Sequence, residues 1–136
     1  MLLDQRIAFV TGAGSGIGRA GALAMAAEGA RVIVTDLDGD RASRVAADIR
    51  AAGGLAEALA LDVTDDAALQ AAIAGAAGRH GRLDVLHSHA GVQIAGALEQ
   101  VSVNQMDVSW RVNVRSHFVL SRAVLPQMID RKSTRL

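Results

Sequence analysis

The chain has 136 residues, close to the length of one domain. It holds 27 alanines and 14 glycines but only three aromatic residues, Phe9, Trp110 and Phe118, so Val, Ile, Leu and Ala must build the core. Fourteen basic and fourteen acidic side chains cancel, so no strong field favours nucleic acid or an anionic membrane. The absence of cysteine removes disulfides, thiolate metal sites and thiol nucleophiles, and fits a cytoplasmic setting. No apolar run reaches the roughly 18 residues of a membrane span, and residues 1–5 read as the lead into a strand, not as a signal peptide.

Residues 6–10 form a short, β-rich apolar run closed by Thr11-Gly12. The spacing of Ile17, Ala20, Ala24 and Ala27 predicts one face of a helix, which Gly29 ends. A second strand covers 31–35 and is closed by Asp36. Asp38 and Asp40 offer capping and favourable charge to the next helix. That helix buries Ala42, Val45, Ala46 and Ile49 and stops at Gly53-Gly54. Residues 55–61 read as an Ala-rich third strand. Thr64-Asp65-Asp66 opens a third helix with Leu69, Ala72, Ile73 and Ala76 on one side, and 83–86 is a fourth strand.

A looser stretch, 92–101, precedes a long helix over 102–125, opened by Ser102 with Gln105 three residues on, as in a capping box. This helix has two apolar stripes, Val108-Val112-Val119 and Trp110-Val114-Phe118. A helix lying on a sheet needs one, so the second predicts a partner such as another subunit. Pro126 is expected to bend or break the helix. Regular alternation of strands and helices predicts right-handed crossovers and a parallel sheet with helices on both faces. No Pro/Ser-rich linker interrupts it, so 1–136 reads as one domain.

The segment Thr11-Gly12-Ala13-Gly14-Ser15-Gly16-Ile17-Gly18 lies between the first strand and the first helix. There a helix N-terminus offers free N–H groups and partial positive charge to a phosphate. The fit is T-G-x-x-x-G-x-G, on Gly12, Gly16 and Gly18, and not G-x-G-x-x-G. Asp36, at the end of the second strand, can accept hydrogen bonds from a ribose diol and would repel a 2′-phosphate. Asp62 and Val63, at the end of the third, can meet an adenine amino group and ring. Three consecutive strand ends thus offer phosphate, ribose and base contacts in chain order.

With these motifs the chain resembles the N-terminal half of a short-chain dehydrogenase/reductase. Leu83-Asp84-Val85-Leu86, Ala90-Gly91, Asn113 and Leu125-Pro126-Gln127-Met128 follow in the family's order, over roughly residues 3–130. The resemblance implies a Rossmann-type doubly wound sheet of four parallel strands in order 3-2-1-4. It implies pyrophosphate held by Gly12, Ser15, Gly16, Ile17 and Gly18, NAD selected over NADP by Asp36, and an adenine pocket at Asp62 and Val63. His89, Ala90 and Gly91 would border the cofactor's ribose and nicotinamide side. Asn113 matches the Asn of the family's catalytic Asn-Ser-Tyr-Lys set, and the implied reaction is hydride transfer between NAD(H) and a small alcohol or carbonyl.

Two departures stand out. The family's Asn-Asn-Ala-Gly reads Ser88-His89-Ala90-Gly91 here, and His87 with His89 makes a His-x-His pair without an evident third metal ligand. The chain has no Tyr, and its basic end, 131–136, lacks the apolar strand that precedes the family's catalytic Ser. Ser133 and Lys132 are therefore given no catalytic role. The sequence reads as a fragment that binds dinucleotide without completing the reaction. Two alternatives remain: a non-catalytic dinucleotide-binding or interaction module, and an S-adenosylmethionine methyltransferase, which also places glycines after strand one and an acid after strand two.

Overall fold

The computed structural model describes residues 1–129, so the basic stretch 131–136 lies outside the described residues. Four parallel strands, β1 (Ile7–Thr11), β2 (Arg31–Asp36), β3 (Leu55–Ala60) and β4 (Val85–Ser88), form one sheet in the order β3-β2-β1-β4. Phe9 is level with Ile33 on one side and Leu86 on the other. Side chains alternate across a strand, and here both faces are apolar. Ile7, Phe9 and Ile33 join one core, while Ala8, Val10, Val32 and Val34 join the other. Every residue of β1 is buried, as a central parallel strand requires.

Helices α1 (Gly16–Ala27) and α2 (Gly39–Ala51) cover the second face, with Ala22, Ala42, Val45, Ala46 and Ile49 in its core. Helix α3 (Asp66–His80) packs with the long C-terminal helix on the first, through Leu69, Ile73, Leu120, Val124 and Met128. Full burial of each such large aliphatic side chain contributes about 1.5–3 kcal/mol. Local signals fix the helix ends. Asp38 accepts from the N–H of Asp40 and of Arg41, Asp65 accepts from Ala68 N–H, and Gly81 closes α3 at φ +67°.

Three expectations need correction. Ile17, Ala20, Ala24 and Ala27 of α1 face outward, with Ile17 72% exposed, and the buried residues are Gly18 and Ala22. The helix sits so close to the sheet that only the smallest residues fit beneath it. β4 begins at Val85, two residues after the apolar run 83–86 begins. Leu83 is buried just ahead of it, and Asp84 is a buried anchor. Asp84 accepts the Ile7 N–H at 2.9 Å and the Arg82 guanidinium fork at 2.5–3.0 Å. Burial pushes its carboxyl up, but the Arg82 and Ile7 hydrogen bonds outweigh this and hold it below the usual carboxylate range.

The third correction concerns the long helix, which is unbroken but not uniformly α-helical over 102–125. It comprises α4 (Val103–Trp110), one π-turn (Arg111–Arg115) and α5 (Ser116–Ile129), and it runs on through Pro126. In the π-turn the Ser116 N–H bonds to the Arg111 carbonyl, five residues back. The Val112 carbonyl, passed over by that shift, accepts the Ser116 hydroxyl at 2.6 Å. The capping box at Ser102 and Gln105 forms as expected, with both reciprocal bonds present.

Candidate functional site

The carboxyl ends of the strands open into a cleft of about 730 Å³. Gly12, Ser15, Gly16 and Ile17 form one wall, Leu37, Asp62, Val63 and Thr64 another, and His89, Ala90, Gly91 and Val92 a third. Nine of the residues expected from the sequence therefore line one space. Gly18, Asp36 and Asn113 stand behind that lining and shape it.

Gly12 lies at φ +62°, and a Cβ there would come within 2.9 Å of Ala90 Cα. The loop thus presses directly on the turn after β4. Thr11 locks the two together, because its hydroxyl oxygen accepts the N–H groups of His89 and Ala90 at 3.0 and 3.1 Å. A Cβ on Gly18 would fall 2.1 Å from the Gly12 carbonyl oxygen, so α1 reaches the loop only because this position is glycine. Ser15 stands at the N-cap of α1 in extended conformation and its hydroxyl makes no capping bond. The first-turn N–H groups therefore point at the cleft without a side chain satisfying them, an arrangement suited to an anion.

Asp36 Oδ2 accepts the Gly14 N–H at 2.9 Å and Oδ1 the Asp38 N–H at 3.0 Å. A carboxylate has about four acceptor sites, so one on each oxygen remains while the group itself is held in place. Asp62 Oδ1 accepts both the N–H and the hydroxyl of Thr64, at 2.9 and 2.7 Å. Asn113 sits in the π-turn and grips the backbone of Val92. Its Oδ1 accepts the Val92 N–H and its Nδ2 donates to the Val92 carbonyl, each at 2.8 Å, and Nδ2 also reaches Ser109 Oγ at 3.2 Å. One-turn π insertions recur at functional sites, and this one sets Asn113 against the cleft wall. Ser88 Oγ pairs with His117 Nδ1 at 2.5 Å, joining β4 to α5.

Sequence reasoning missed Leu37, Leu61, Thr64, Val92, Val108 and Val112 as parts of the site. Thr11 opened the glycine motif, but its bonds to the turn after β4 were not expected, although a hydroxyl at the end of a buried strand needs a partner. The missed lining residues come from loops and a helix face whose placement depends on long-range packing. Among the described residues no group of three or more His, Asp or Glu side chains could hold a metal ion, and no described helix is long and apolar enough to cross a membrane.

A parallel sheet of this order, with a glycine loop against a helix N-terminus and acids at the next two strand ends, is the arrangement of a Rossmann-type α/β fold. The chain belongs to the short chain dehydrogenase family, whose model matches residues 6–136. It is 38% identical over 128 residues to D-threitol dehydrogenase of Mycolicibacterium smegmatis, covering 94% of this chain and 49% of that protein. It is 34% identical to 2,3-dihydro-2,3-dihydroxybenzoate dehydrogenase of Bacillus subtilis, over 96% of this chain and 50% of that one. Among solved structures, a metagenomic short-chain oxidoreductase in complex with NADP superposes with TM-score 0.93 at 38% identity, covering 97% of this chain and 60% of its own. A 7α-hydroxysteroid dehydrogenase complexed with NADH and 7-oxo glycochenodeoxycholic acid gives 0.90 at 34%, over 95% and 50%. The chain spans about half the length of the curated relatives it matches. Family membership sets aside the methyltransferase alternative.

Proposed function

We propose that this chain is the cofactor-binding half of an NAD(H)-dependent oxidoreductase acting on a small alcohol or carbonyl, and that alone it binds dinucleotide without completing the reaction. The observation that carries this reading is the cleft itself, lined by the glycine loop and by Asp62-Val63, with Asp36 just behind its wall at the end of the strand between them. Gly12, Ser15, Gly16, Ile17 and Gly18 give the pyrophosphate a close backbone approach and free N–H donors. Asp36 keeps an acceptor site on each oxygen for the two ribose hydroxyls. Asp62 receives the adenine amino group, with Val63 against the ring, while His89, Ala90 and Gly91 border the remainder of the cofactor.

When bound, the dinucleotide supplies or accepts the hydride. Asn113 is the one member of the family's catalytic set that falls within the described residues, and its grip on Val92 fixes where it stands. The set also requires a Tyr, which this chain does not contain. The reading includes a cytoplasmic setting, supported by the cysteine-free composition, and pairing of copies through helix 102–125. Trp110, Val114 and Phe118 on that helix are 57%, 44% and 65% exposed.

Calorimetry with NADH and NADPH tests the reading. NADH should bind saturably and more tightly, because a 2′-phosphate would lie beside the Asp36 carboxylate. Asp36→Ser should narrow the gap by about 1–2 kcal/mol, the scale of a like-charge contact open to solvent. Equal or tighter NADPH binding by the unaltered chain would overturn the preference, and failure of both to bind would overturn the function.

A further inference from the structure

The His87–His89 pair has a chemistry that the dinucleotide reading does not use. The two ring centroids lie 5.3 Å apart, with planes tilted by 50°. Both rings lie beneath the first half of α1. The Cδ2 of His89 is 3.1 Å from where a Cβ on Gly18 would stand, and Cε1 and Nδ1 of His87 are 2.9 Å from that point on Gly21. Glycine at both helix positions leaves room for two imidazoles, the second of them where the family's pattern has an Asn. His89 also forms part of the cleft wall with Gly12, Ser15 and Gly16. An imidazole therefore borders the loop that receives the pyrophosphate.

Among the described residues no carboxylate pairs with either ring. Arg19, the charged residue of α1 nearest the loop, pairs with Asp48. The facing strand β1 reads IAFVT and has no titratable side chain. Asp36 is bonded to the loop and to Asp38 N–H, and Asp62 to Thr64. His117 of α5 is bonded to Ser88. Among the described residues the one histidine in an ion pair is His80, with Glu57. Burial, and then the neighbouring His89, push the His87 imidazole below its usual value. The positive end of α1 acts in the same direction. An anion in the cleft would oppose these effects.

We propose that His89 is a proton-linked pyrophosphate-binding residue, so that dinucleotide binding draws a proton onto the His87–His89 pair. The inference rests on the dinucleotide reading of the cleft and deepens it. Its sign follows from linkage. The bound-state titration lies above the free-state one, so the gain in affinity is complete below the free-state midpoint. It is lost as pH rises through the bound-state midpoint.

The test is isothermal calorimetry of this chain with ADP-ribose, which carries the pyrophosphate, and with adenosine, which does not. A rise of one pKa unit on binding is a tenfold change in affinity, so ADP-ribose should bind progressively tighter as pH falls from about 8.5 to about 5, by up to about tenfold. Buffers of different ionisation enthalpy should report net proton uptake with ADP-ribose, and adenosine should show neither effect. His89→Asn should flatten the pH dependence. His87→Val should keep the slope, because the group that takes up the proton is His89. NMR titration of the His89 ring in the unaltered chain, with and without ADP-ribose, gives the same answer without a variant, as an upward shift on binding. ADP-ribose binding that is flat with pH, no shift of the His89 titration, or an undiminished slope in folded His89→Asn overturns the inference and leaves the dinucleotide reading standing. No ADP-ribose binding at any pH overturns both.

Discussion

Replacing Gly18 by Ala tests how the glycine loop and α1 are joined. In an exposed helix interior the change stabilises by up to about 1 kcal/mol. At Gly18 the new Cβ would fall 2.1 Å from the Gly12 carbonyl oxygen and 2.8 Å from its carbon, and both belong to the backbone. No rotamer change relieves that contact, so the helix and the loop must separate by more than an ångström. Overpacking of this kind costs about 1–3 kcal/mol, and a backbone obstacle belongs at the upper end. Against the propensity gain, the net loss is about 2 kcal/mol. At about 4 °C per kcal/mol for a chain of this size, Tm should fall by about 8 °C. Moving the Gly12 carbonyl also disturbs the phosphate wall, so NADH affinity should fall at least about tenfold, one step of 1.4 kcal/mol. Gly78→Ala is the control. It is exposed on α3 with nothing within 4 Å of the new Cβ, and should leave Tm unchanged or raise it. Thermal unfolding by circular dichroism and NADH calorimetry read both effects. A Gly18→Ala chain as stable as its parent, with unchanged affinity, would refute the packing argument.

Asp84→Asn should cost about 3 kcal/mol at neutral pH, because it leaves the Arg82 cation beside a buried amide. The folded carboxyl titrates below its unfolded value. Its stabilisation is therefore complete above about pH 4 and disappears as pH falls through the lowered folded value, so parent and variant should converge in acid denaturation. The exposed Trp110–Val114–Phe118 stripe should drive self-association at micromolar concentration, and Phe118→Glu should weaken it in sedimentation velocity. A parent chain that stays monomeric contradicts the pairing. The purified chain should show no NAD-dependent turnover of secondary alcohols above background. Sustained NADH production that disappears in Gly16→Trp contradicts its catalytic incompleteness.

Much of the architecture was legible because its determinants are local. Asp38, Asp65 and the Ser102–Gln105 box mark helix starts by chemistry confined to four residues, and Val45 and Ile49 reveal the buried side of α2 by size and spacing. Alternation then leaves few topologies, and the order β3-β2-β1-β4 is among them. The inner face of α1 was not legible. Periodicity gives weight to large apolar residues, whereas this helix buries glycine and alanine and leaves Ile17 at the mouth of the cleft. The start of β4 was misplaced because Leu83 is buried without pairing in the sheet, while the polar His87 and Ser88 do pair, with Val10 and Thr11. The π-turn was out of reach, since Asn113 is gripped by Val92, 21 residues away. In the cleft lining, the glycines and Asp62 announced themselves by type and position, whereas Asp36 stands behind it. Thr64 and Leu37 entered through loop conformation alone.

The central claim is that a dinucleotide occupies the cleft at the strand ends, and amide chemical-shift mapping of the isotopically labelled chain with NADH tests it most directly. Saturable shifts should concentrate at Gly12 to Gly18, at Leu37, at Asp62 to Thr64 and at His89 to Val92. A response that does not saturate, or one centred on the groove between β3 and α3 around Ala68 and Arg79, would contradict the account.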